Sequence, residues 1–429
     1  MSEPAASIPV DRTARALYAL LDLSKALGSE VDLDALLSVI VEKASSVVEA
    51  ERTSIFVYDA GRDVLWSHHG QGITAIIELP MGSGIAGDVA KTLRPANVAD
   101  AYADPRFNRE ADDRSGFRTR SVIAAPILDS AGKLLGVVQS VNKMTAPRFD
   151  EHDESLMGAI ASHIAVAMER ARLTSSFIEH ERMSEALKLA SEIQMRMLPP
   201  GAVAVGTDTP FELHAFIRPA RMVGGDLYDF AANGDRLYFC VGDVSGKGIG
   251  SALVMALTKT LFRANVPYYD DAARLTEAVN LRLCEDTGPT IFVTAFCGFL
   301  DLRSGLLRFC NAGHDRPFVL RTDGSAELLQ SKPGLALGVV PSFRYALQEL
   351  TLEEGEALFL YTDGVTEATN RKDELFSIER LHEALEQSGK ASALRLIAGV
   401  TESIEHFVEG APQSDDLTMM CVRYRGSQR

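Results

Sequence analysis

Hydrophobic residues in the first third of the chain change between a helical and a strand-like period. Residues 13–49 have the pattern of two helices around the turn Gly28-Ser29-Glu30, and the second repeats apolar residues at i, i+3 and i+4. A helix pattern punctuated by glycine follows at 82–93. Alternating strand patterns cover residues 52–59, 63–67, 121–128 and 134–142. We therefore expect a mixed domain of helices and strands at 13–170, after a disordered segment at 1–12.

A long helical pattern begins near Asp150 and continues to residue 198, where Pro199-Pro200-Gly201 ends it. The part that connects the domains, at 171–200, is charged and has an apolar stripe in imperfect heptad register. The stripe consists of Phe177, Met183, Leu187, Ala190, Ile193 and Met197. This linker is either a spacer that packs against one domain or a coiled coil that joins two copies of the chain. We favour a homodimer, because the helix connects two domains without a flexible break.

After residue 201 the pattern changes to many strands with pairs of helices between them. Strand patterns cover 211–217, 236–243, 291–301, 306–311, 317–321 and 356–362, and a final one covers 417–422. Helix patterns cover 249–264, 272–286, 377–387 and 391–408. Runs of strands separated by helix pairs are typical of a layered α+β domain rather than of βαβ repeats. We therefore predict an α+β protein of two domains, the second of which spans 201–429.

Composition limits the class of protein. A chain of 429 residues is too long for one hydrophobic core, and 46% hydrophobic with 24% charged residues is typical of a soluble protein. A basic and apolar leader and an apolar run of 18 residues are both absent from the sequence, which predicts a cytoplasmic protein without a membrane span. The net charge of −16 argues against non-specific binding of nucleic acid, which needs clustered Lys and Arg.

The five cysteines occur outside any C-x-x-C spacing, and most lie inside strand-like apolar runs. They are Cys240, Cys284, Cys297, Cys310 and Cys421. We therefore expect buried thiols in place of a zinc site or disulfides.

Four aspartates in the second domain are the strongest candidates for chemistry. Asp226 follows two glycines in V-G-G-D-L-Y-D, and Asp243 ends a strand pattern in V-G-D-V-S-G-K-G. Asp363 ends another strand pattern directly before glycine, and Asp415 precedes the last strand. Clustered carboxylates repel one another unless a cation neutralises them, and hard divalent cations prefer oxygen ligands. The pattern therefore predicts a site for two ions about 3.5–4 Å apart, which is suited to the hydrolysis of a phosphate ester.

Five short motifs follow one another in the second domain, and they include these aspartates. They are VGGDLYD at 223–229, GDVSGKG at 242–248, NAGH at 311–314, YTDG at 361–364 and DDLT at 415–418. With these motifs in this order, residues 211–425 resemble the PPM metal-dependent protein phosphatases, specifically their bacterial SpoIIE-like branch. The resemblance implies an αββα sandwich of two antiparallel sheets with two Mn²⁺ or Mg²⁺ ions at its edge.

The same resemblance implies a role for each metal residue. Asp243 would bridge both ions, and the backbone carbonyl of Val244 would add an oxygen to one of them. Asp226, Asp363 and Asp415 would complete the metal site directly or through water, whereas Asp416 fits a supporting position behind the ligands, or a third metal, better than a bridging one. A water made acidic by the ions would attack phosphorus in line, without a phosphoenzyme. The helices at 249–286 are candidates for a switch that controls this site.

Two further residues of the motifs have roles that the sequence leaves open. His314 is a candidate general acid, although a structural histidine fits its N-A-G-H-D turn better. Lys247 is a candidate phosphate ligand, although a solvated lysine at a helix entry is the more common role. The arginine with which some phosphatases of the superfamily clamp phosphate is not identifiable in the sequence.

In the first domain, the signature N-K-x(n)-F-x3-D-E is formed by Asn142, Lys143, Phe149, Asp153 and Glu154. Together with segments at 84–87, 100–108 and 116–121, it makes residues 15–170 resemble a GAF domain of the cyclic-nucleotide-binding type, an antiparallel sheet with flanking helices. In that family the signature is structural, and a Lys–Asp pair shapes the pocket from outside. The resemblance implies cAMP or cGMP as an allosteric ligand, in a pocket lined by Ile85, Ala86, Asn108, Asp112, Ser115, Thr119 and Gln139. The alternatives are a GAF domain that only dimerises and one that binds another small molecule.

These features predict a serine/threonine protein phosphatase whose GAF domain senses a small molecule. By resemblance, the substrate would be a phosphorylated anti-sigma-factor antagonist of the STAS type. One alternative is a phosphoprotein-binding scaffold with weak or no catalysis and a dimerising, ligand-free GAF domain. A cyclic-nucleotide phosphodiesterase is disfavoured, because the nine histidines are scattered and form no metal-binding spacing.

Overall fold

The computed structural model describes residues 33–70, 77–200, 209–288 and 290–426, and the chain divides into two compact units between Arg182 and Met183. The expected disordered segment at 1–12 and the first helix of 13–49 lie outside the described residues. Within the described ranges, no helix combines the length and the apolar character needed to cross a membrane.

The N-terminal unit contains one antiparallel sheet of six strands in the order β3-β2-β1-β6-β5-β4. Its strands are β1 (Ala50–Asp59), β2 (Val64–Gly70), β3 (Ile77–Pro80), β4 (Ala96–Val98), β5 (Val122–Leu128) and β6 (Leu134–Lys143). Its helices are α1 (Leu33–Val47), α2 (Gly84–Thr92), α3 (Glu110–Ser115) and the first part of α4 (Glu151–Met197). The expected sheet with flanking helices is therefore confirmed.

Alternation along the strands gives this sheet an apolar surface on both faces. The adjacent residues Ile55 and Phe56 of β1 belong to different core clusters, because successive side chains of a strand point to opposite faces. One cluster joins α1 and α4 to the sheet through residues such as Leu37, Ile40, Ile123, Val138, Ile160 and Ile164. The other cluster joins α2 to the sheet through Ile85, Ala86, Val89, Leu65, Val122 and Val137.

The C-terminal unit is built on two antiparallel sheets of five strands each. The first has the order β14-β11-β10-β9-β8 and the second has the order β13-β12-β15-β16-β7. The strands are β7 (Phe211–Arg218), β8 (Leu227–Asn233), β9 (Arg236–Val244), β10 (Val293–Asp301), β11 (Leu306–Ala312), β12 (Phe318–Leu320), β13 (Ala326–Leu328), β14 (Gln348–Thr351), β15 (Ala357–Tyr361) and β16 (Leu417–Tyr424).

Helices cover the outer faces of the two sheets, which makes the unit an αββα sandwich. The helices are α5 (Ile249–Asn265), α6 (Ala272–Asp286), α7 (Asp363–Thr366), α8 (Ser377–Ser388) and α9 (Ala393–Val408). One apolar cluster lies between the sheets and contains residues such as Phe239, Phe296, Phe309, Leu358 and Met420. Two others pack α5 and α6 on the first sheet, and α8 and α9 on the second. The predicted sandwich is therefore confirmed.

Strand β8 is an element that the hydrophobic pattern did not predict. Its third residue, Asp229, is fully buried and interrupts the apolar pattern. The carboxylate accepts hydrogen bonds from Arg263 of α5 at 2.8 and 2.5 Å, and Lys259 lies 3.8 Å away. A buried charge needs such partners, and here they come from helix α5, which begins 20 residues later in the chain. The short-range pattern therefore could not show why an aspartate belongs in this strand.

All five cysteines are free thiols, as expected. Four of them are buried, and Cys284 is half-buried.

Candidate functional site

The ends of neighbouring strands bring the predicted aspartates to one edge of the sandwich. Asp226 directly precedes β8, and Asp243 is the next-to-last residue of β9, its neighbour in the first sheet. Asp363 follows β15 closely, and Asp415 shortly precedes β16, its neighbour in the second sheet. A hydrogen bond of 2.8 Å from Thr362 Oγ1 to Asp226 Oδ2 joins the two sheets at this edge.

Glycines allow the backbone segments at this edge to approach one another closely. A Cβ on Gly225 would lie 2.9 Å from the carbonyl oxygen of Val244, and a Cβ on Gly364 would lie 2.0 Å from that of Asp416. Real Cβ atoms are not found at such distances from backbone oxygens. The glycines of the G-G-D and T-D-G motifs are therefore required for space, which is a tertiary constraint.

Burial and mutual repulsion disfavour negative charge on these carboxyl groups. Burial, followed by the nearby Asp243, raises the pKa of Asp226 well above its usual value. Burial and the charge of Asp363 raise the pKa of Asp243 to about 7. Burial, Glu367 and Asp415 raise the pKa of Asp363 to about 6. A divalent cation would remove this repulsion, and a donor set made only of oxygen atoms fits Mn²⁺ or Mg²⁺.

Asp416 supports the first metal motif through the backbone. Its Oδ1 accepts a hydrogen bond from the amide of Ala220 at 2.8 Å, and its Oδ2 accepts one from the amide of Gly225 at 2.8 Å and a long one from that of Asp226 at 3.5 Å. The side chain is buried. Both oxygens of Asp416 thus hold the segment that carries Asp226, which favours a positioning role for this residue next to the metal site.

Lys247 pairs with one of the predicted metal ligands. Its Nζ lies 2.7 Å from Asp415 Oδ2 and donates a hydrogen bond to the carbonyl oxygen of Ser414 at 2.8 Å. Among the described residues, no group of three or more His, Cys, Asp or Glu is arranged to hold a metal ion. The ligand assignment therefore stays a prediction.

His314 is held inside the domain. Asn311 fixes its turn, because the Asn311 side chain accepts from the His314 amide at 2.8 Å and donates to the His314 carbonyl at 2.9 Å. Its Nδ1 lies 3.0 Å from Thr294 Oγ1, and burial lowers the pKa of His314 to about 4. A neutral, buried imidazole favours the structural role.

Two residues of the site were missed as functional candidates. Thr362 bonds to Asp226 and also accepts from the amide of Thr418 at 3.1 Å, so it connects both sheets. Gln194, near the end of α4, is buried and bonds to both backbone groups of Gly224. A polar residue on the buried side of an amphipathic helix was the signal available for Gln194. Thr362 gave no signal beyond its place in the YTDG motif.

In the N-terminal unit, three of the seven predicted pocket residues form hydrogen bonds with protein partners, namely Asn108, Asp112 and Thr119. Asp112 is buried and accepts hydrogen bonds from Thr119 Oγ1 and Thr119 N, both at 2.7 Å, and from Tyr102 at 3.1 Å. Asn108 is exposed, and its side chain accepts from the amide of Glu110 at 3.0 Å. The structure therefore brings Asp112 and Thr119 together, and they bond to each other.

The other predicted pocket residues differ in burial. Ile85 and Ala86 are buried in the first turn of α2, and Gln139 is half-buried on β6. The side chain of Ser115 lies outside the described residues.

The five signature residues of the N-terminal unit form contacts around the ends of β6 and α4. Lys143 Nζ lies 3.0 Å from Asp153 Oδ1 and donates to the carbonyl oxygen of Val48 at 3.0 Å. Asn142 has a positive φ of 59°, and its side chain accepts from the amide of Arg120 at 2.6 Å. Phe149 is buried in the core, and Glu154 accepts from Asn97 at 2.7 Å.

A sandwich of two antiparallel sheets between helix pairs, with aspartates at one edge, is the architecture of PP2C-type phosphatases. The SiaA-PP2C domain of Pseudomonas aeruginosa has this fold, with a TM-score of 0.51 and 21% identity over 57% of this chain and 98% of that chain. Residues 233–425 match the family described as Stage II sporulation protein E (SpoIIE), and residues 32–168 match the GAF domain family. The chain therefore combines a GAF domain with a SpoIIE-type PP2C phosphatase domain.

Two curated relatives share parts of the chain. Protein IcfG from Synechocystis sp. is 32% identical over 266 residues, which cover 55% of this chain and 41% of that protein. The dual 3',5'-cyclic-AMP and -GMP phosphodiesterase 11 of Drosophila melanogaster is 30% identical over 192 residues, which cover 41% of this chain and 13% of that protein. The chain thus spans less than half of the length of either relative.

Proposed function

We propose that this protein is a metal-dependent serine/threonine protein phosphatase whose GAF domain binds a cyclic nucleotide, cAMP or cGMP, as a regulator. In this proposal the sensor spans 13–170, the linker 171–200 and the phosphatase 201–429. The observation that carries the phosphatase function is the cluster of Asp226, Asp243 and Asp363 at one edge of the sandwich. The pKa of each carboxyl group is raised by burial and by neighbouring carboxylates.

The residues at the edge divide into ligands and supports. Asp243, with the carbonyl of Val244, would hold both ions, and the remaining ligands would be Asp226, Asp363 and Asp415. Bound Mn²⁺ or Mg²⁺ supplies the positive charge that makes a water nucleophilic and stabilises the charge on the transferring phosphoryl group. Thr362 and Asp416 hold Asp226 in place through the hydrogen bonds described above.

A phosphoprotein substrate and a homodimer complete the proposal. The SpoIIE-like motifs favour a phosphorylated anti-sigma-factor antagonist of the STAS type as the substrate. Phe177, Met183 and Ile193 are exposed on α4, and an apolar stripe of this kind favours pairing of two copies. The cytoplasm is the proposed compartment, and neither nucleic acid nor a membrane is a proposed partner.

The cyclic-nucleotide proposal rests on the signature contacts and on one relative. Lys143 and Asp153 form the ion pair that the resemblance implies. A Drosophila relative is named as a phosphodiesterase of cyclic AMP and cyclic GMP. The start of α2 carries Ile85 and Ala86, and helix amides at an N-terminus suit a cyclic phosphate.

Phosphate release from a phosphoserine peptide tests the catalytic proposal. The full-length protein should release phosphate in the presence of Mn²⁺ or Mg²⁺, and this release should stop when EDTA is added. Calorimetric titration with cAMP and with cGMP, followed by the same assay, tests the regulatory proposal. The absence of binding and of any rate change with both nucleotides would reject cyclic nucleotides as the regulator.

A scaffold function is the second candidate, and one observation favours it. The described residues contain no ready metal group, and one oxygen each of Asp226 and Asp415 is already engaged by Thr362 and Lys247. A scaffold would bind the phosphopeptide in the presence of Mn²⁺ without releasing phosphate. Binding without release would therefore replace the catalytic proposal.

A further inference from the structure

The last turns of α4 reach the segment before Asp226 through a single buried amide side chain. Gln194 is only 7% exposed, whereas its neighbours Ile193 and Met195 are 54% and 40% exposed. Gln194 Nε2 donates to the carbonyl oxygen of Gly224 at 2.7 Å, and Gln194 Oε1 accepts from the amide of Gly224 at 3.2 Å. One side chain thus pairs with both backbone groups of one residue.

Asp416 holds the same segment from another side. It accepts from the amide of Gly225 at 2.8 Å, and a Cβ on Gly224 would lie 2.1 Å from its Oδ2. The two glycines are therefore held between the amide of Gln194 and the carboxylate of Asp416. Buried hydrogen bonds of this kind are costly to break, because the backbone group left without a partner is not solvated by water. The position of Asp226 depends on both supports.

The end of α4 also contacts the chain on the other side of Asp226. Tyr228 donates a hydrogen bond from its hydroxyl to the carbonyl oxygen of Pro199 at 2.9 Å. Leu198 is buried in the cluster between the two sheets. The helix end is therefore fixed to residues two positions before and two positions after Asp226, and any shift of the helix end would move this carboxylate.

We propose that Gln194 is a positioning residue that sets the Asp226 carboxylate for metal binding, so that the end of α4 and the metal site are energetically coupled. This inference rests on the proposed metal-dependent function, and it adds the contact through which the linker helix acts on the site. Coupling of this kind is reciprocal: metal binding stabilises the contact of Gln194 with Gly224, and loss of the contact weakens metal binding.

Substitution of Gln194 in the full-length protein tests the proposal. Gln194→Met keeps the size and helix propensity but removes both hydrogen bonds, and Met195→Gln is the matched change at the exposed neighbour. Calorimetric titration with Mn²⁺ in the absence of substrate should show a Kd about tenfold weaker for Gln194→Met, because two buried backbone groups lose their partner. Met195→Gln should bind Mn²⁺ as the wild type does. Saturating Mn²⁺ should restore the turnover of Gln194→Met, which a general loss of structure would not allow.

Unchanged Mn²⁺ affinity in a folded Gln194→Met protein would overturn the inference while leaving the phosphatase proposal intact. A wild-type protein that binds no Mn²⁺ would overturn both. If the variant does not fold, amide hydrogen exchange of the wild-type protein tests the same coupling. Addition of Mn²⁺ should slow amide exchange in peptides that cover 193–198 as well as 223–229, and protection confined to 223–229 would refute the coupling.

Discussion

The carboxyl groups at the edge of the phosphatase sandwich repel one another, whereas the polar side chains of the predicted GAF pocket form hydrogen bonds within the protein. Burial and like charges raise the pKa of Asp226 and Asp243, so these groups lack sufficient positive charge nearby. In the GAF domain, both oxygens of Asp112 accept hydrogen bonds from Thr119 and Tyr102. A cation would stabilise the first region, whereas hydrogen bonds within the protein already pair Asp112 and Thr119 in the second.

The comparison indicates how each region should respond to its ligand. A cation at the sandwich edge relieves repulsion that is already present, so binding and stability should rise together. A nucleotide that uses Asp112 or Thr119 has to exchange existing hydrogen bonds for new ones, which yields little net free energy. Selectivity in the GAF domain should therefore come from groups such as Asn108, whose side chain is exposed.

The largest effect is expected from Asp243→Asn. Removal of the carboxylate that we propose as the bridge should lower turnover with Mn²⁺ by about a thousandfold, which corresponds to several kcal/mol of lost transition-state stabilisation. Phosphate release and Mn²⁺ titration measure the effect, with circular dichroism as the control for folding. Activity close to the wild-type value would break the assignment of Asp243 as the bridge.

The pH dependence of stability, measured on the wild type and on Asp243→Asn, tests whether the edge carboxyl groups resist ionisation. The pKa of Asp243 is about 7 in the folded protein, above the value of about 3.9 for an unfolded chain. Its protonated form therefore stabilises the metal-free fold fully below about pH 4, and this contribution is lost as the pH rises through about 7. In EDTA, the Tm of the wild type should fall from pH 5 to pH 8, and the Tm of Asp243→Asn should fall by a smaller amount over the same range. Equal pH dependence of the two proteins would contradict the raised pKa.

Lys143→Met should give the next largest effect, on the GAF domain. The Lys143 and Asp153 side chains are 2% and 0% exposed, so the variant leaves a buried carboxylate without its cation. Breaking a buried pair in this way costs about 3–5 kcal/mol in free energy of unfolding. Denaturant unfolding of the full-length protein measures the loss, and Lys133→Met, at an exposed position, is the control. Equal stability of the two variants would show that the pair is dispensable.

Gly364→Ala should have a smaller effect on the sandwich edge. The added Cβ would meet the carbonyl oxygen of Asp416 at 2.0 Å and would force the two segments apart, at a cost of about 1–3 kcal/mol. Weaker Mn²⁺ binding and a lower Tm should follow. The control is Gly250→Ala in α5, where the nearest atom would be 4.0 Å away. If both variants bind Mn²⁺ equally well, close approach at Gly364 does not shape the metal site.

Lys247→Met should give the smallest effect, an increase in Mn²⁺ affinity. Lys247 and Asp415 are both partly exposed, and exposed ion pairs contribute about 0–1 kcal/mol, which is up to about fivefold in Kd. Calorimetric titration measures the change, and Lys332→Met, at another exposed lysine, is the control. Weaker binding in Lys247→Met would mean that the lysine assists the metal site and does not compete for Asp415.

Local sequence was sufficient where the signal lies within a few residues. The strand patterns next to Asp243, Asp363 and Asp415 predicted β9, β15 and β16, which the structure contains. The helical pattern from Asp150 to residue 198 likewise corresponds to one continuous helix, α4. In each case helix or strand periodicity and turn residues are local properties of the chain.

Local sequence failed where a polar group depends on a distant partner. Asp229 made β8 unrecognisable, because the arginine that neutralises it comes from α5. The sequence left open whether Asp416 supports the site or holds a third metal, and the structure shows its oxygens bonded to the backbone at Ala220 and Gly225. The roles of such groups depend on which donors lie within about 3 Å, and sequence spacing does not encode that distance.

The sequence by itself determined the two domains, the αββα sandwich, the sheet with flanking helices and the set of aspartates at strand ends. Periodicity, turn residues and motifs depend on residues that are close in the sequence, so the sequence alone could predict the features they specify. Only the tertiary structure decided that Thr362 and Gln194 support Asp226, that Lys247 pairs with Asp415, and that Asp112 and Thr119 bond to each other. These contacts depend on the close packing of segments that are distant in the sequence and that folding brings together.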